Sequence, residues 1–138
     1  LYRQACSRIQ EDEPPKKLLL LLEHAIALWP HEANLHVACG LLALKASAIN
    51  RARGAFERAL ELEHNQARRA EISLYLAMSI DLGSHTRGQA KHLYRQIASE
   101  GVAPSRVALF ARKKRRRRLR HDEVLKLPLD LLNAGLHL

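Results

Sequence analysis

ARGAFERALEL, residues 52–62, decides how this 138-residue chain reads. Ala52, Ala55, Phe56, Ala59 and Leu60 recur at spacings of three and four, so they share one side of a helix. The pattern returns 38 residues later. Ala52-Arg53 and Phe56-Glu57-Arg58-Ala59 correspond to Ala90-Lys91 and Tyr94-Arg95-Gln96-Ile97. A fainter copy lies 34 residues before the motif, at Leu18, Leu22, Ala25 and Ile26. Periods of this length belong to stacked helical hairpins. Small alanines let neighbouring helices approach closely, and one Phe or Tyr per hairpin fills the gap between layers. A single hairpin cannot cover its own apolar face, so successive hairpins stack into a continuous core. The expected fold is therefore an all-α solenoid.

Prolines and glycines divide the rest of the chain into helices. Pro14 and Pro15 separate an expected helix over residues 2–10 from one over 16–28. Pro30 ends the latter, with Trp29 in the restricted position before it. Residues 32–45 place Leu35, Ala38, Cys39 and Leu42 on a stripe that ends at Ala46. Residues 47–50 form the next break, and Asn50 is the expected cap of the helix that carries the opening motif. His64 and Asn65 lie in the following turn. A helix over 67–80 aligns Leu74, Ala77 and Met78, with Tyr75 beside them. Gly83 stands where a left-handed C-cap residue is expected. Residues 88–98 carry Ala90, Leu93, Tyr94 and Ile97, and Gly101 and Pro104 break that helix. A last helix begins near Ser105 and runs into a basic segment. The candidate repeat core is Leu35, Cys39, Ala52, Phe56, Ala59, Leu74, Met78, Ala90, Tyr94 and Ile97.

LYLAMSIDLG at residues 74–83 reads as the first helix of a hairpin. AKHLYRQIASEGVAPSRVALF at residues 90–110 reads as a second helix, a turn and the next first helix. With the opening motif, these stretches resemble half-a-tetratricopeptide (HAT) repeats. Tyr75 and Gly83 fall where that family commonly has its aromatic and its helix-ending glycine. The chain departs from the pattern at His36 and Ser73, at or near positions where HAT repeats favour tryptophan. Ser79 and Ile80 replace the usual acidic end of the first helix, and Gly40 and Ala52 fit ordinary tetratricopeptide (TPR) repeats about as well. The resemblance implies a right-handed superhelical stack of antiparallel helical hairpins, a HAT/TPR-like α-solenoid. It also implies a non-catalytic protein-interaction scaffold in nuclear RNA processing, such as splicing, 3′-end cleavage or ribosomal RNA maturation.

DEVLKLPLDLLNAG at residues 122–135 resembles the end of the nuclear-RNAi-defective family. Those nuclear proteins are linked to the RNA exosome's helicase, to splicing and, in some animals, to small-RNA-guided silencing. The helicase contact of that family lies outside the repeats, so no residue here takes that role. The alternative is a generic TPR adaptor, cytoplasmic or bacterial, that binds a peptide or helix in its groove. A third reading is an accessory domain of a larger enzyme. Met78 is the one methionine and Leu1 begins the chain, so the natural protein is expected to extend further N-terminal.

The net charge of +9 is local. Eight of the nine residues 112–120 are Arg or Lys, with Leu119 the exception. Taking those eight from 23 basic residues leaves 15 against 14 acidic ones, a nearly neutral body. That argues against a whole basic face wrapping nucleic acid. Lys113, Lys114, Arg115, Arg116, Arg117, Arg118 and Arg120 are the candidates for a nuclear-import signal, or for contact with RNA phosphates or an acidic partner. A plain solvated helix or linker is the competing reading. Consecutive arginines repel, so an ordered helix here would be stabilised by a counter-charged partner. No aromatic is interleaved, so an RNA contact would be phosphate-directed and salt-sensitive rather than base-specific. The expected division is repeats over 1–110, a basic segment over 111–121 and a leucine-rich tail over 122–138. In that tail Leu127, Leu129, Leu131 and Leu132 would cap the last repeat or dock on another protein.

Other chemistry is sparsely represented. Cys6 and Cys39 read as free thiols near a core. None of the eight histidines has a zinc-motif spacing with a nearby Glu, and His36 with Cys39 supplies at most two ligands. Glu11, Asp12, Glu13, Glu61 and Glu63 lie in or beside turns, where they serve solubility and helix-end electrostatics. No phosphate cradle or nucleophile pair is evident, and no cofactor or small-molecule substrate is expected. The run at residues 18–22 is followed at once by Glu23 and His24, too short and polar for a membrane span, and no signal peptide is evident.

Overall fold

Ala52, Phe56 and Ala59 are wholly buried, and so are Ala90, Tyr94 and Ile97 at the same relative positions. The sequence repeat is thus one buried stripe used twice. The structure is a computed structural model. It describes residues 15–83, 86–101 and 103–125. The expected helix over 2–10, Cys6 and the four tail leucines lie outside the described residues.

Among the described residues the chain is all helical. The helices are α1 (Pro15–Leu28), α2 (Ala33–Lys45), α3 (Ile49–Leu62), α4 (Gln66–Leu82), α5 (Arg87–Ser99), α6 (Ser105–Arg116) and α7 (His121–Leu125). From α1 to α6 each helix packs on the next, as in a helical solenoid. Connections this short make neighbours antiparallel, so α2, α4 and α6 run parallel, with α3 and α5 forming the second layer. Lighter contacts join α2 to α4 and α4 to α6.

The two layers differ in composition because they differ in burial. Every residue of α2 from Val37 to Leu44 is buried, since α1, α3, α4 and α7 all press on it. A helix surrounded in this way is apolar all round. By contrast, α3 and α5 bury one stripe each and send their charged residues outward, except Arg87 at the start of α5. Leu35, Cys39, Leu74 and Met78 join the same core. Gly40 allows the closest approach: the Phe56 ring lies where a Cβ on Gly40 would stand.

The helix ends depart from the sequence-based expectations in two places. Asn50 is not a cap but the second residue of α3; Ala48 holds the N-cap position. The reason is the turn before it. Ser47 takes a left-handed φ of 63°, with Ala48 N–H bonded to Ala43 O at 2.8 Å and Ser47 N–H to Leu44 O at 3.0 Å. This Schellman closure delivers the chain straight into α3. Gly83 is extended, with φ −75°, not left-handed. The α4 carbonyls are met instead by the Thr86 hydroxyl and, from a distance in sequence, by Arg118. The last helix begins at Ser105 and runs into the basic segment as expected: α6 ends at Arg116, and Arg117 is extended. Asn65, expected only as a turn residue, is a working N-cap whose side chain accepts from Arg68 N–H at 2.9 Å.

Candidate functional site

Two buried carboxylates on α4 organise the molecule's polar architecture. Glu71 accepts from Arg68 (3.1 Å), from the Tyr75 hydroxyl (3.1 Å) and from Arg106 of α6 (3.1 Å). Arg68 also donates to Asn34 Oδ1 of α2 at 3.2 Å. A charged row therefore crosses α2, α4 and α6. Its outer member, Arg106, keeps 68% of its side chain exposed. Burial, then the nearby Glu71 charge, pushes the Tyr75 phenol well above its usual range, so it remains a neutral donor.

Asp81, at the other end of α4, is fully buried. It accepts from Arg87 (2.9 Å), from the Tyr94 hydroxyl (3.1 Å) and from the Leu119 backbone N–H (2.8 Å). Arg87 also donates to Lys114 O at 2.8 Å, a carbonyl in the last turn of α6. Burial, then the Asp81 charge, raises the Tyr94 phenol as well. Sequence reasoning missed both carboxylates, although a signal was present. Asp81 stands in register with Leu74, Ala77 and Met78, and Glu71 precedes Leu74 by three. An acid on an apolar stripe is expected to carry a buried network.

After α6 the chain doubles back across the C-terminal ends of the three parallel helices. Arg118 donates to Asp81 O (3.3 Å) and Gly83 O (3.4 Å). Leu119 and Val124 are buried, and His121 Nε2 meets Ser47 Oγ beside the end of α2 at 3.1 Å. Helix C-termini carry unsatisfied carbonyls and partial negative charge, which favour cations lying over them. Residues 117–125 form a strap over those ends.

The basic run is consequently divided. Lys114 is buried, with 7% exposure: it pairs with Glu123 and lies 5.5 Å from the Phe110 ring centroid. Lys114 falls in register with Val107 and Ala111, the inward stripe of α6. Its ammonium holds the Glu123 carboxyl below the usual range. Arg115 is half-buried, while Arg118 is exposed but engaged with carbonyls. Arg120 is exposed and lies 3.6 Å from both Asp122 and Glu123. Arg112, Lys113, Arg116 and Arg117 are exposed, with no side-chain partner among the described residues. The counter-charge that an ordered basic helix needs comes from this chain, at Glu123 and the α4 carbonyls.

The remaining features offer little chemistry. An open groove of about 470 Å³ lies between α4 and α5, lined by Gln66, Ser73, Leu93, Gln96 and Glu100 among others. Arg69 at its edge is spent on the α3 C-terminus, donating to Leu60 O and Glu63 O. His36 faces Pro30 O at 3.1 Å rather than a metal site. Cys39 is a free buried thiol whose pKa is raised by burial. Among the described residues no group of three or more His, Cys, Asp or Glu could hold a metal, and no helix is long and apolar enough to cross a membrane. No protein-family model, curated protein or solved structure matches the chain. The resemblance to HAT repeats rests on the quoted residues.

Proposed function

We propose that this chain is a non-catalytic scaffold of HAT-type hairpins, wound in a right-handed superhelix, that holds protein partners in a nuclear RNA-processing or RNA-surveillance assembly. The observation that carries the scaffold reading is the row Asn34, Arg68, Glu71 and Arg106. One network aligns the faces of three parallel helices and leaves a charged, rigid and open surface at its edge. A partner meeting it finds side chains already fixed by one another, which lowers the entropy lost on binding. The RNA-processing context is drawn from the HAT resemblance, as is residence in the nucleus.

The test is affinity capture on the immobilised chain from nuclear and cytoplasmic extracts, both treated with nuclease. Retention of RNA-processing proteins from the nuclear extract, lost with Arg106→Glu, supports the proposal. Retention confined to cytoplasmic peptide ligands would replace it with a generic TPR adaptor. The seat of Gly40 beneath Phe56 suits that second reading equally.

A further inference from the structure

Eight basic residues in nine look like one patch, but the fold gives six of them two different kinds of work. Of the other two, Arg115 is half-buried and Arg120 lies beside Asp122 and Glu123. Lys114, which is buried, and Arg118, which is exposed but bonded to the α4 carbonyls, hold the strap in place. Arg112, Lys113 and Arg116 follow one another at helical spacing on the outward side of α6, and Arg117 continues from its end. No acidic residue occurs anywhere in residues 105–120 to offset them.

We infer that Arg112, Lys113, Arg116 and Arg117 form a rigid site for the phosphodiester backbone of single-stranded RNA, read without regard to base. The choice of RNA rests on the RNA-processing reading above; the backbone chemistry stands on the site itself. Three of the four side chains are arginines, whose planar fork suits phosphate oxygens. The stripe lacks what a protein interface needs at its centre. Its single exposed apolar side chain is Leu109, and its nearest aromatic, Phe110, is turned under Lys114. Protein hot spots are built on buried aromatic and arginine anchors set in pockets. With no aromatic to stack on a base, the contact is electrostatic. The inward anchors keep it ordered before binding: Glu123 fixes Lys114, Arg87 joins the α6 carbonyls to Asp81, and Arg118 grips the end of α4.

The experiment is fluorescence anisotropy of the full chain with single-stranded oligouridylate and oligocytidylate over a range of salt. Four phosphate contacts predict a log–log salt slope of about −2.8, or roughly a 50-fold loss of affinity between 50 and 200 mM salt, equal for the two sequences. Arg116→Gln should reduce the slope by about 0.7, whereas Lys91→Gln, an exposed position on α5 outside the basic run, should leave it unchanged. Replacing all four outward residues by Gln should abolish binding with little change in Tm, because relief of like-charge repulsion on α6 opposes the loss of cations at its C-terminal end. Binding that survives the fourfold change, an equal effect of Lys91→Gln, or polyglutamate binding as tightly as RNA would overturn the assignment. The nuclease-treated capture assay does not depend on these residues, so either proposal can fail while the other stands.

Discussion

Replacing Gly40 by Ala should destabilise this protein, although that change inside a helix ordinarily helps. A Cβ on Gly40 would stand 2.5 Å from Phe56 Cε1 and 2.7 Å from Cζ. Carbon atoms settle at about 3.5–4.0 Å, so the overlap is roughly 1 Å. The Phe56 ring has little room to swing aside, because it is wholly buried and the Tyr75 ring lies against it at 5.7 Å between centroids. Relief requires α2 and α3 to part or the ring to leave its rotamer, and overpacking of this kind costs about 1–3 kcal/mol. Alanine gains about 1 kcal/mol over glycine in helix propensity. The net expectation is a loss of about 1 kcal/mol. Gly54 on α3 is the control, since nothing lies within 4 Å of a Cβ there. Gly54→Ala should stabilise by about 1 kcal/mol, leaving the two variants about 2 kcal/mol apart and opposite in sign. Urea melts would measure both. In a Phe56→Leu background, Gly40→Ala should become neutral or favourable, a coupling that a double-mutant cycle isolates. Equal stabilisation by Gly40→Ala and Gly54→Ala would refute the close approach.

Tyr94→Phe should cost about 1 kcal/mol for the lost hydrogen bond, and Asp81→Ala about 3 kcal/mol, since it strands Arg87, the Tyr94 hydroxyl and Leu119 N–H together. Thermal melts that rank them the other way would remove Asp81 from the centre of the network. Glu123 is depressed in the folded state, so its stabilisation is complete above about pH 4.3 and fades as pH falls through the folded value. Glu123→Gln should flatten that acid-side decline in Tm, and an unchanged pH profile would count against the Lys114 pair. Cys39 should react with thiol reagents only as fast as the chain opens, because burial disfavours its thiolate; rapid labelling of a Cys6→Ala variant under native conditions would contradict its placement.

The layered helices were legible because their information is local. Alanines and one aromatic at spacings of three and four announce a stripe, and Ala52, Phe56 and Ala59 needed no distant partner to be recognised. Helix limits were legible to within a residue or two wherever Pro or Asn acts alone, as at Asn65. They were misread where the chain supplies the cap from elsewhere. Ser47 can be left-handed because a Schellman turn closes around it, and Gly83 need not be because Thr86 and Arg118 attend the α4 carbonyls. The division of the basic run was the hardest to see. Its decisive contacts, Arg118 with Asp81 and His121 with Ser47, span 37 and 74 residues. Residue type alone does not distinguish Lys114 from Lys113; only their register against Val107 and Ala111 does.

The strap also changes how such a chain should come apart. In a simple stack each hairpin touches only its neighbours, so the ends fray and the whole unravels as a sum of nearest-neighbour steps. Here α7 rests on α2, two hairpins from where the strap begins. Opening the last hairpin therefore uncovers the first, and the last cannot be secured until the first is in place. The closure converts a linear array into a loop of mutual dependence, in which α2 to α7 are expected to unfold as one cooperative unit rather than from an end.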